Sequence, residues 1–289
     1  MARLQVSTIY CGLPFRLAAC NELFEKLDFA ASCRLARRFG WDAIELAPFT
    51  LAEDATQLTP ARRRELRDIM ASEGLPYVGL HWLLVGPSGL HATTPDTAVR
   101  RRTWDYLAGL VDLSADLGPD SVMVFGSPKQ RSSTGGLTAQ QATQHYIDGV
   151  AGLAPRAQER GVTICIEPLS PDQTDVLLSL NEAASIVAQI NSPALRTMYD
   201  SHNAVAEREP HERLVDRHFD AIRHVHVNEM DGTHPRPAGG HDFKPVLQVL
   251  KNRNYRGWVS MEVFDFSPGP EKILGEAGAY LRAEIAQLA

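Results

Sequence analysis

Several things are scarce in this sequence. Four cysteines, Cys11, Cys20, Cys33 and Cys165, are scattered through 289 residues, and no two form C-x-x-C. A chain of this length does not depend on disulfide staples, and that spacing offers no sulfur-rich metal knuckle. The thiols therefore read as reduced, in a cytoplasmic setting. No apolar run approaches the roughly eighteen residues that a membrane span needs. The opening "MARLQVSTIYCGLPF" has no basic segment leading into a long apolar one, so it does not read as a secretory signal. Cations do not dominate either. Lys and Arg number 29 against 35 Asp and Glu, a formal net charge of −6. That balance argues against the basic surface typical of nucleic-acid binding. Neither membrane nor nucleic acid is an expected partner. Also missing is a G-x-G-x-x-G in "IYCGLPFRLAAC", the phosphate-cradling turn of a dinucleotide-binding open sheet.

What is present is alternation. Eight β-like runs recur along the chain: "LQVSTIY", "WDAIELA", "YVGLHWL", "SVMVFGS", "VTICIEPL", "LRTMYDSH", "IRHVHVNE" and "WVSMEVF". Amphipathic helical stretches lie between them, with mechanistic start and stop signals. Thr59-Pro60 and Asp96 open helices, Ser179 and Glu182 form a capping-box pattern, and Gly40, Gly74, Gly118 and Gly161 close helices. Strand–helix alternation over a whole chain predicts a parallel sheet covered by helices. Eight units in this length predict a single (β/α)₈ TIM barrel over residues 1–289. The longest polar insertions, 127–136 and 229–243, both follow strands, where a barrel carries its binding loops.

Side chains alternate faces along a strand. In "VTICIEPL", Val162, Ile164 and Ile166 oppose Thr163, Cys165 and Glu167. In "IRHVHVNE", Val225 and Val227 oppose His224, His226 and Asn228. In "WVSMEVF", Val259, Met261 and Val263 oppose Ser260, Glu262 and Phe264. Applied throughout, this points Glu45, His81, Glu167, Asp200, His226 and Glu262 into the barrel near the C-terminal ends of strands, where barrel enzymes act. The same rule places Val78, Leu80 and Trp82 outward, against the helices. Clustered carboxylates repel and are rarely buried without a partner. A shared cation held by Glu167, Asp200, His226 and Glu262 resolves that repulsion. His224 lies one layer deeper and reads as a hydrogen-bonded core histidine.

The stretches "ICIEPLSP", "RTMYDSHNA", "RHVHVNE" and "WVSMEVF" resemble strands five to eight of the xylose isomerase-like TIM-barrel superfamily. Its sugar isomerase and epimerase branch, with ketose 3-epimerases, hydroxypyruvate isomerase and inosose dehydratase, is the nearest in pattern. The resemblance implies one divalent metal on Glu167, Asp200, His226 and Glu262, and a small sugar or polyol substrate. It also implies a homodimer or homotetramer. Three carboxylates and one imidazole suit Mn²⁺ first, with Mg²⁺, Co²⁺ and Zn²⁺ also acceptable. The implied reaction is proton abstraction beside a carbonyl, giving an enediolate, with Glu167 and Glu262 as the two acid–base groups. A dehydratase or lyase acting on a keto-inositol or oxidised sugar shares the first step. A non-catalytic sugar-binding protein and an abasic-site endonuclease are weaker alternatives. Substrate contacts are expected from His81, Glu45, His202 and Arg236. Two positions depart from the family pattern. Asn203 stands where a histidine is common, with His202 one residue earlier, and Arg236 only loosely matches a substrate-binding arginine. Ser127, Lys129 and Arg131 form a polar loop that an anion could use, although a solvated loop is the simpler reading.

Overall fold

The computed structural model describes residues 13–289. Eight parallel strands run in chain order: β1 (Arg16–Cys20), β2 (Ala43–Leu46), β3 (Tyr77–Leu80), β4 (Val122–Phe125), β5 (Thr163–Ile166), β6 (Leu195–Asp200), β7 (Ile222–Val227) and β8 (Trp258–Met261). Each pairs with its neighbours, and β8 returns to β1, so the sheet closes into a barrel. The helices are α1 (Phe29–Arg38), α2 (Pro60–Ser72), α3 (Thr97–Leu117), α4 (Ala139–Arg160), α5 (Leu180–Ile190), α6 (His211–Arg217), α7 (Lys244–Asn252) and α8 (Pro270–Ala286). This is the (β/α)₈ architecture that the alternation predicts. Among the described residues, no helix is long and apolar enough to cross a membrane.

Local chemistry sets the helix ends. The Thr59 hydroxyl accepts from the Arg62 N–H, and the Asp96 carboxylate accepts from the Ala98 and Val99 N–H groups. Ser179 caps α5 by accepting from the Glu182 N–H, but the Glu182 carboxylate accepts from Leu178 N–H instead of closing the reciprocal box. Gly118 ends α3 in extended rather than left-handed backbone, packed against Tyr77.

Two strand readings need correction. The run "LQVSTIY" lies outside the described residues, and the strand that closes the barrel is Arg16–Cys20. Its sequence, RLAAC, is poor in β-branched residues, so propensity did not mark it. The small side chains belong there because Ala18 fills the barrel interior with Ala43, Val78, Val122, Val124, Cys165 and Met198. The second correction concerns β3. Three residues of β2 span four of β3 (Ile44 pairs with Tyr77, Leu46 with Leu80), an irregularity that breaks strict alternation. Val78 therefore faces inward and Tyr77 and Leu80 pack outward, yet His81 still turns into the barrel.

Candidate metal and active site

Four donors converge at the C-terminal end of the barrel. Asp200 is the last residue of β6, His226 the penultimate residue of β7, and Glu167 and Glu262 directly follow β5 and β8. One donor atom from each lies within 4.8 Å of the others. All are buried: Glu167 is 5% exposed, Asp200 and Glu262 3%, and His226 0%. In register, Asp200 pairs with His226, and His226 with Ser260 two residues before Glu262. The β6–β7 register is irregular between Thr197 and Met198, but alternation holds over the C-terminal residues of the four strands and delivers the side chains to one point.

The surroundings grip each carboxylate. Asn203 Nδ2 donates to Glu167 Oε1 (2.7 Å), its backbone N–H donates to Asp200 Oδ1 (2.9 Å), and its own Oδ1 accepts from Gln173 Nε2 (2.6 Å). Gly126, just past β4, makes room for Glu167: a Cβ there would overlap Glu167 Oε2. His226 Nδ1 approaches Glu262 Oε2 at 3.2 Å and Asp200 Oδ2 at 3.6 Å, while Nε2 faces Glu45 Oε1 at 3.1 Å. Asp200 Oδ2 is buried and has no hydrogen-bond partner among the described residues. An orphaned carboxylate oxygen, surrounded by two more carboxylates and an imidazole, is what a divalent-cation site leaves exposed to its ion. The oxygen-rich donor set fits such a cation.

The electrostatics record the crowding. Burial, then the charges of Glu262 and Asp200, push the Glu167 carboxyl up to about 8. Burial also works upward on Glu262, but the His226 charge and hydrogen bond outweigh it and hold Glu262 below the usual range. For His226 burial works downward, and Glu45 and Glu262 overcome it, holding the imidazole well above its ordinary value. Two adjacent glutamates with opposite shifts are the arrangement expected of acid–base pairs.

Glu45 and His81 form a layer below these four and are fully buried. Their polar atoms face other side chains. Glu45 Oε2 accepts from His224 Nε2 (2.8 Å), and His81 Nε2 donates to Glu22 Oε2 (2.7 Å). Glu22 sits in the short turn after β1. Nothing in the sequence around it marks a strand end, because RLAAC carries little strand signal.

His202 lies just beyond β6, in a turn rather than on a continued strand. Its Nδ1 donates to the Met230 carbonyl (2.7 Å), which leaves Nε2 as an acceptor. Its ring packs at 5.1 Å on Phe264. Phe264 stacks on Trp82, and Trp82 on Phe49. Alternation places Trp82 on the outer face. Its φ of 50° re-aims it, and it joins an aromatic run with residues that follow β2, β6 and β8. Arg236 turns back into its own loop, where its guanidinium donates to Thr233 Oγ1 and to the His234 carbonyl. That loop is tied down by Glu229, whose carboxylate accepts from the Gly240 and His241 N–H groups.

Arg131 is no surface cation. It is fully buried and donates to the carbonyls of Phe125 (3.0 Å) and Glu167 (2.7 Å), bolting the end of β4 to that of β5. Lys129 stays exposed. Both bonds come from Nη1, and Nη2 donates to the Leu177 carbonyl (3.4 Å), so Arg131→Lys keeps the charge but loses the second nitrogen and the planar donor set that serves three carbonyls. The expected cost is about 2–4 kcal/mol of folding stability, measured by urea denaturation. A loss under about 0.5 kcal/mol, the size of an ordinary surface change, would contradict this role.

Comparison with known proteins follows the same lines. The chain is 22% identical over 247 residues to fructoselysine 3-epimerase of Shigella flexneri, covering 83% of this chain and 86% of that protein. It is 22% identical over 240 residues to inosose dehydratase of Erwinia tasmaniensis, covering 75% and 78%. The structure of D-psicose 3-epimerase from Clostridium cellulolyticum H10 with D-tagatose superposes with a TM-score of 0.81 at 18% identity, covering 94% of this chain and 99% of that one; this likeness is one of fold. The model of the xylose isomerase-like TIM barrel family matches residues 33–284, and the chain belongs to that family.

Proposed function

We propose that this protein is a divalent-metal-dependent epimerase of a ketose or related keto-polyol, with Glu167, Asp200, His226 and Glu262 holding the metal. The observation that carries this reading is the buried convergence of those four donors around Asp200 Oδ2, which has no hydrogen-bond partner among the described residues. A bound divalent cation supplies Lewis acidity toward a carbonyl and its neighbouring hydroxyl. Glu167 and Glu262, from non-adjacent strands, take a proton from the carbon beside the carbonyl and return one from the opposite side, which inverts that centre. Asn203 and Gln173 keep the Glu167 carboxylate from swinging away. His202, with a free Nε2 acceptor, receives a substrate hydroxyl, and the aromatic run of Phe49, Trp82 and Phe264 packs on the apolar edge of the sugar. Glu45 and His81 support the metal layer from beneath, and Arg236 shapes the loop after β7.

Several relatives that carry epimerase names support the reading, and the dehydratase relative supports one rival. A dehydratase begins with the same proton abstraction and then expels a β-hydroxyl. The deciding experiment incubates Mn²⁺-loaded protein with ketoses and keto-inositols in D₂O and follows NMR and mass. Epimerisation gives a product one deuterium heavier with inverted configuration. Dehydration gives a product lighter by one water. Tight ketose binding with neither change would leave a sugar-binding protein and end the catalytic reading.

A further inference from the structure

The layer beneath the four donors contains an asymmetry that concerns His226. Its two ring nitrogens face different partners. Nδ1 looks toward Glu262 Oε2 and Asp200 Oδ2, both in the donor cluster. Nε2 looks toward Glu45 Oε1, which is outside that cluster. Glu45 is held in turn. Its second oxygen accepts from His224 Nε2 at 2.8 Å, and His81 Nδ1 stands 3.6 Å from the first. Glu45, His81 and His226 are 0% exposed, as is His224. Residues from β2, β7 and the end of β3 thus make one dry imidazole–carboxylate stack.

We propose that Glu45 is the positioning residue of His226: it accepts the Nε2–H, fixes that tautomer, and reserves Nδ1 for the metal. The proposal rests on the metal-site reading above and goes beyond it by assigning the ligating nitrogen and the residue that selects it. The physical case has three parts. A neutral imidazole has one N–H and one lone pair, and the partner of the N–H decides which nitrogen coordinates. A carboxylate is an acceptor and cannot donate, so Glu45 enforces the Nε2–H form. His224 occupies the other Glu45 oxygen, so the carboxylate cannot rotate to release His226 without stranding a second buried N–H. His224 then has a function beyond filling the interior: it anchors the anchor.

The test uses the intact protein and reads tautomer and affinity rather than turnover. In ¹⁵N-labelled, Zn²⁺-loaded wild type, long-range proton–nitrogen correlation should show His226 protonated on Nε2 with Nδ1 shifted by the metal. Protonation on Nδ1 would overturn the proposal, and this measurement needs no variant to fold. Mn²⁺ titration followed by electron paramagnetic resonance should show Glu45→Ala binding about 10–100-fold more weakly, the usual consequence of losing an outer-sphere partner. Glu45→Gln keeps one acceptor oxygen at the same reach and should recover part of that loss. Wild-type affinity in Glu45→Ala, with a native circular dichroism spectrum, would overturn the proposal. If wild type itself bound no Mn²⁺, the metal-site reading would fail first and carry this one with it, so the two failures are told apart.

Discussion

Glu167→Gln and Glu262→Gln should each lower epimerisation by about 10²–10⁴-fold, the usual contribution of a positioned acid–base group. The pattern of residual activity matters more than the size. In a two-sided mechanism each glutamate serves one epimer as base and the other as acid. A variant lacking one of them still removes the proton of the epimer that faces the other. Each variant should therefore retain solvent deuterium uptake into one epimer and lose it from the other, with opposite preferences. Glutamine keeps an oxygen donor at each position, so metal content must be measured beside the exchange to confirm that the site is still loaded. If one variant lost exchange from both epimers and the other lost none, a single-base mechanism would replace the proposed one. The prediction rests on placement: the two glutamates follow β5 and β8, with Asp200 and His226 between them in the strand order.

How much of this was legible in the sequence depended on how regular each strand is. On β5, β6 and β8, and on β7 from His224 onward, past an irregular register at its start, the period of two holds to the C-terminal ends, and alternation there brings Glu167, Asp200, His226 and Glu262 to one end of the barrel. On β3 an irregular register breaks the period, so Val78 was assigned the wrong face while His81 kept its inward direction. Trp82 was misplaced for a related reason: one left-handed backbone step changes where a side chain points, and period counting cannot see it. β1 was missed because the barrel interior at that position demands small residues, which carry little strand signal. Arg131 shows another limit. Its neighbours Ser127, Lys129 and Ser132 look like a solvated loop, and only the path of the backbone brings two carbonyls to its guanidinium. Asn203 departs from the family pattern in the sequence, but its grip on Glu167 and Asp200 depends on the turn after β6.

Removing metal should lower the melting temperature, and the drop should widen as pH rises. In the metal-free cluster the Glu167 carboxyl is raised from its ordinary 4.5 to about 8, chiefly by burial and then by Glu262 and Asp200. The folded protein therefore keeps a proton that the unfolded chain releases near pH 4.5. The stability this gives is fully present below that pH and is lost as pH climbs through about 8. His226, raised well above 6.5, acts in the same direction further into alkali. Glu45 has the opposite sign: His224 and His226 overcome the upward pull of burial and hold it well below 4.5, so its contribution is lost only in acid. From mildly acid to mildly alkaline pH, then, the metal-free protein becomes steadily weaker at this site. A divalent cation reverses the trend, because it competes with the proton for the same oxygens and binds more tightly as they ionise. At a hundredfold excess over its Kd it adds about 2.7 kcal/mol to the folded state, or roughly 4–5 °C in Tm for a chain of this size. Scanning calorimetry with Mn²⁺ or with chelator should show a small difference near pH 5 and the full difference near pH 8. Glu167→Gln cannot titrate, so it should flatten the metal-free slope across that range. A chelator effect that is absent at pH 8, or that narrows as pH rises, would rule out a cation in this cluster.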